Sequence, residues 1–173
     1  MILPALSLCL FPAIVIWAGI RDATSYTIPN WISVTLALAF APLAVLLGLS
    51  LSQIGLSVLV ALAVLFVGIL LFALRWIGGG DAKLLAACGL WLGPSVLMPF
   101  LLTTALLGGG LALGLLALRN PLFVPLVQRL PKWTERLLTP GEDVPYGVAI
   151  AAAAMITFQQ SPLLLQVQNP VIG

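Results

Sequence analysis

The chain has 173 residues, 62% hydrophobic and 7% charged. Soluble domains carry about 25% charged residues, so this is the composition of an integral membrane protein. A net charge of +2, spread along the sequence, gives no footing for nucleic-acid binding, and the lack of histidine removes Ser-His and Cys-His catalysis and every histidine metal site. Cys9 and Cys88 fall in apolar stretches, form no CxxC and read as small core residues.

A helix needs about 20 apolar residues to cross the hydrocarbon core. Leu3 to Ile20 is the first predicted span. No Lys or Arg precedes it, so it reads as a retained helix rather than a cleavable leader, and it is closed by Arg21-Asp22. Trp31 to Leu49 and Ile54 to Leu74 follow. Leu84 to Leu118 is uncharged and too long for one pass, and Gly93-Pro94 and Pro99 break it, so it is expected to cross twice with its turn there. Val148 to Phe158, extended back through Tyr146-Gly147, gives a short last pass before Ser161-Pro162. The expected fold is an all-α, polytopic membrane bundle of about six helices. It forms a single membrane-embedded domain over 1–173, because no polar segment is long enough for a second one.

Charge tests that count. With six passes, Arg21 lies in the first loop, Arg75 and Lys83 in the third, and Arg119, Arg129, Lys132 and Arg136 in the fifth, so all seven basic residues share one face. The positive-inside rule makes that face cytoplasmic and puts both termini outside. A single pass over Leu84–Leu118 would split the basic residues across the membrane. Within the fifth loop, at about 119–145, Leu126, Val127, Leu130, Trp133, Leu137 and Leu138 recur at roughly helical spacing among charged residues. This reads as a short amphipathic helix on the inner leaflet, a surface anchor or a substrate-docking element.

Two of the five acidic residues, Asp22 and Asp81, border apolar spans on that same face. A carboxylate at the edge of a bilayer is costly, and its default reading is functional. Gly78-Gly79-Gly80 lets the fourth helix start abruptly with Asp81 in its first turn, where free N–H groups favour a carboxylate. The bland alternative is a helix cap. Lys83 is placed to hold a negative charge or to anchor the helix end. Asp22 is followed by polar, uncharged Thr24 to Thr27 and then by Ile28-Pro29-Asn30, where Pro29 suits the first turn of the second helix and Asn30 is a possible cap. Two carboxylates brought within about 3 Å share a proton: the ionised one activates water and the protonated one polarises a carbonyl. Glu135, Glu142 and Asp143 read as balancing charges in the basic loop.

At these residues the chain resembles the prepilin peptidases, a GxGD class of membrane aspartic proteases. Asp22 with Ile28-Pro29-Asn30 matches the first motif, and Gly78-Gly79-Gly80-Asp81-Ala82-Lys83-Leu84 matches the second. Val144-Pro145-Tyr146-Gly147-Val148-Ala149-Ile150 is similar to the start of the last helix in short members of the tight-adherence or Flp-pilus type. The resemblance implies that Asp22 and Asp81 are the catalytic pair, supported by Gly78, Gly80, Lys83, Ile28, Pro29 and Asn30. It also implies that the substrates are prepilin and pseudopilin precursors, cut at the cytoplasmic face of a bacterial inner membrane. Larger members carry paired CxxC motifs between the first two helices; only a short cysteine-free loop stands here, so neither metal, cofactor nor methyl transfer is expected. Rival readings are a small proton-coupled transporter and a non-enzymatic assembly subunit whose acids only cap helices.

Overall fold

The structure is a computed structural model that describes residues 2–120, 135–139 and 142–168. Among these, all regular structure is helical: α1 (Ile2–Ser25), α2 (Asn30–Leu46), α3 (Leu51–Ala73), α4 (Gly79–Leu118), the single turn α5 (Glu135–Leu138), α6 (Tyr146–Phe158) and α7 (Pro162–Gln168). Three stretches, Leu51–Ala73, Gly79–Leu118 and Tyr146–Val167, are long and apolar enough to cross a bilayer, and Asn30–Leu46 is apolar but shorter. The protein is an all-helical membrane bundle.

α4 runs for 40 residues, but Gly93 within it has φ 71 and ψ 177, which no helix contains. A residue at that φ,ψ has no room for a Cβ, and Pro94 contributes no N–H to carry a helix through. The element is therefore two arms, 79–92 and 94–118, rising about 21 and 37 Å. The arms fold back on one another: a Cβ on Gly89 would sit 3.7 Å from Leu97 Cδ1, although eight residues of straight helix span about 12 Å. The turn expected at the breakers is where the chain reverses. Gly93→Ala is expected to cost about 1–3 kcal/mol, read as a lower unfolding temperature in detergent. Its Cβ would also press on Pro162 Cγ at 3.3 Å.

Other boundaries moved. α1 continues past Ile20 to Ser25, so Asp22 is inside a helix rather than in a loop. In its last turn Thr24 and Ser25 donate their hydroxyls back to the carbonyls of Ile20 (2.8 Å) and Arg21 (2.6 Å). The helix ends where Tyr26 takes φ 53. Asn30 does not cap α2: Pro29 occupies the cap position with no side-chain bond, and Asn30 opens the helix. The segment after Ser161 forms α7, with Ser161 Oγ accepting from Leu164 N at 3.3 Å. Of the expected amphipathic helix in the fifth loop, Leu126, Val127, Leu130 and Trp133 lie outside the described residues. α5 covers its end, with Leu138 buried.

The interior combines alanine, aromatic and aliphatic side chains, and many large apolar ones also face outward, as in a lipid-facing protein. α6 buries Gly147, Ala149, Ala151, Ala153 and Ala154, which lets α1 and α4 close on it. Phe11, Phe40, Trp91 and Phe158 pack with ring centroids 4.7–6.0 Å apart, Phe11 stacked on Trp91 and Phe40 edge-on to it, and Trp91 Nε1 donates to Leu36 O at 2.9 Å, joining the first arm of α4 to α2. These contacts fix one end of the bundle, the end away from the acids.

Candidate functional site

The loops and helix ends sort into two poles. One holds the end of α1, the start of α2, the end of α3, the start of α4 and the start of α6. A cavity of about 720 Å³ opens there, lined by Asp22, Tyr26, Phe72, Arg75, Trp76, Gly78, Asp81, Asp143 and Tyr146 among others. Asp22 and Asp81 thus meet in one cavity, and their carboxyl groups interact electrostatically across it. Arg75 lines the same cavity, Lys83 lies one turn into α4, and Arg119 donates to the backbone carbonyls of Leu137 (3.0 Å), Glu142 (2.8 Å) and Asp143 (3.1 Å). Among the described basic residues, Arg75 lines the cavity of the acids and Arg119 holds the backbone of the segment that brings Asp143 to it.

Each acid is held by a helix N-terminus. Asp81 is the third residue of α4 and accepts the backbone N–H of Gly78, the cap residue, which is the return half of a capping box. The capping reading of Asp81 is therefore real geometry, and it occupies only part of the carboxylate's capacity. A Cβ on Gly78 would lie 2.8 Å from Asp81 Oδ2, so a side chain there would push the carboxylate off. Asp22, 5% exposed, reaches out of α1 to the first turn of α6, where Gly147 N–H donates to its Oδ2 at 2.7 Å.

The two sequence motifs are in contact. Buried Ile28 is wedged between two glycines: a Cβ on Gly80 would come within 3.1 Å of Ile28 Cβ, and one on Gly147 within 2.7 Å of Ile28 Cδ1. Ile28 thereby sets the spacing between the helix start that carries Asp81 and the helix start that grips Asp22. Lys83 does not serve the carboxylates. Its ammonium donates to Asn30 Oδ1 at 2.8 Å, outside the cavity, and ties the start of α4 to that of α2.

Sequence reasoning missed several walls of the cavity. Asp143, read as a balancing charge, lines it. Tyr146 lies across Gly108 in the second arm of α4. Tyr26 and Arg75, the described non-glycine residues with positive φ (53 and 61), both line it. Arg75 closes α3 in the left-handed position where glycine is usual, its N–H bonding Phe72 O while that of Trp76 bonds Leu71 O. Such backbone strain gathers at functional sites.

A polytopic helical protein with two carboxylates from separate helices in one cavity at its basic pole is the class these features define. The sequence profile of the type IV leader peptidase family matches residues 9–113, more than half of the chain, and the chain belongs to that family. It is a leader-peptidase-like protease, and its family implies substrates of the prepilin type. No curated protein and no solved structure matches it.

Proposed function

We infer that the protein is an aspartic endopeptidase that removes the short basic leader from Flp-type prepilins and pseudopilins, with Asp22 and Asp81 as its catalytic pair. The observation that supports this most is the shared cavity: two acids from distant segments line one space, with Arg75 on its wall. With one proton between them, the ionised carboxylate takes a proton from a water as that water adds to the scissile carbonyl, while the protonated carboxyl donates to the carbonyl oxygen. The pair then gives its one proton to the leaving nitrogen and takes one from a hydroxyl of the tetrahedral intermediate as the C–N bond breaks, so the reaction draws on no nucleophilic side chain. Gly78 and Gly80 let the α4 start approach this closely. Ile28, Pro29 and Asn30 brace it, with Lys83 as the tie.

The positive-inside rule places this pole in the cytoplasm, so the site faces the cytoplasmic side of a bacterial inner membrane and both ends of the chain lie outside. A proton-coupled carrier would set its acids near the bilayer midplane on broken helices. Here the broken helix, at Gly93, is at the other pole, which favours the protease. The short cysteine-free link between α1 and α2 fits a peptidase without methyl transfer.

The test is co-expression with a Flp-type precursor, read as its shift in size. Conversion that depends on Asp22 and Asp81 is expected; conversion indifferent to both overturns the assignment. Because catalysis needs one proton on the pair, the rate with a purified precursor is expected to fall on both sides of an optimum pH. A rate that rises monotonically with pH would point to a single base.

A further inference from the structure

The grip on Asp22 comes from outside its own helix. α6 follows Pro145, whose side chain offers no acceptor to the free N–H groups of the first turn. The acceptor is supplied by α1, from a residue 125 positions away in the chain: Asp22 Oδ2 takes the buried Gly147 N–H at 2.7 Å. A Cβ at position 147 would lie 2.8 Å from Asp22 Oδ2, 2.9 Å from Asp22 Cβ and 2.7 Å from Ile28 Cδ1. Carbon atoms do not approach that closely, so only glycine lets the first turn of α6 reach the carboxylate. The family match ends at residue 113, well before this turn.

Resting on the reading of Asp22 and Asp81 as the catalytic pair, we propose that Gly147 is a positioning residue for catalysis. By having no side chain, it lets the N-terminus of α6 clamp one oxygen of Asp22 and fix which oxygen reacts. An oxygen whose charge is already offset by a backbone N–H is the less basic of the two, so a proton prefers the other. When Asp22 is the ionised partner, the proton that leaves the attacking water therefore goes to its other oxygen. A side chain at position 147 slides Asp22 away from this geometry without removing the carboxyl group.

The test uses the full chain in proteoliposomes with a purified precursor, comparing wild type, Gly147→Ala, Gly109→Ala and Asp22→Asn. Gly109 has nothing within 4 Å of a built Cβ, so its variant should match wild type and controls for a glycine-to-alanine change in a helix. Gly147→Ala is expected to lose about 10- to 100-fold in kcat with KM changed less than about two-fold. The factor lost is expected to be the same with Ile28 in place or in an I28V background, since trimming Cδ1 relieves the contact with Ile28 and leaves the one with Asp22.

The outcomes separate. Wild-type cleavage by Asp22→Asn sinks the catalytic-pair reading itself. With Asp22→Asn inactive, a wild-type kcat in Gly147→Ala overturns the positioning role, as does a change in KM alone or recovery in the I28V background. If Gly147→Ala does not accumulate, amide exchange reads the clamp from its other side: the Gly147 N–H should exchange at the wild-type rate in Asp22→Asn and at least about ten-fold faster in Asp22→Ala. Equal exchange in all three proteins would overturn the clamp.

Discussion

Asp22→Asn and Asp81→Asn are each expected to cut precursor cleavage by about 10³-fold or more while the chain still inserts and folds. The structure explains why asparagine is the informative replacement. Both acids cap helices, Asp22 the start of α6 and Asp81 the start of α4. Asparagine is as good a cap as aspartate, so its amide oxygen keeps the hydrogen bond from Gly147 or Gly78. It cannot take a proton from water or pass one on, so chemistry is lost alone. Alanine is different: at position 22 it strands a buried N–H, at a cost of about 1–3 kcal/mol. Asp22→Ala should therefore lower the unfolding temperature in detergent, and Asp22→Asn should leave it near wild type. If the acids did nothing but cap, the asparagine variants would process precursor normally.

Gly80→Val is expected to cost about 10²-fold in cleavage rate, again with insertion retained. The space at Gly80 is bounded by Ile28 Cβ at 3.1 Å and by the Ile28 carbonyl oxygen and nitrogen at 3.4 and 3.5 Å. None of these is the far end of a flexible side chain, so nothing can swing aside. A branched side chain must push the start of α4 away from the Ile28 turn and carry Asp81 away from Asp22. Gly55→Val is the comparison, since a Cβ there meets nothing within 4 Å, and it should retain wild-type cleavage. Equal activity in the two variants would mean that the contact between the motifs does not set the distance between the acids.

Much of this architecture was legible because membrane folding leaves coarse marks in a sequence. Breakers at Gly93-Pro94 inside a run too long for one pass had to make a turn, and the placement of the basic residues constrained which ends share a pole. The pairing of Asp22 with Asp81 followed from that sidedness and from motif resemblance. What escaped was set by shape between distant segments. Nothing local to Gly147 announces that it must meet Asp22, and nothing near Tyr146 names Gly108 as its neighbour. Arg75 in a left-handed position carries no signal, since glycine is the usual mark of that conformation. Lys83, beside an acid, invited an electrostatic reading, yet its side chain leaves the cavity toward Asn30. Ser161-Pro162, read as a stop, was the cap and first residue of another helix.

The account's central claim is that Asp22 and Asp81 act as one unit. The most direct test is the cleavage rate of a purified precursor by D22N, D81N and the D22N/D81N double variant. Residues that share one proton are lost together, so the double variant should be no slower than either single one. A double variant slower by the product of the two single losses, or a single variant that cleaves at the wild-type rate, would contradict the account.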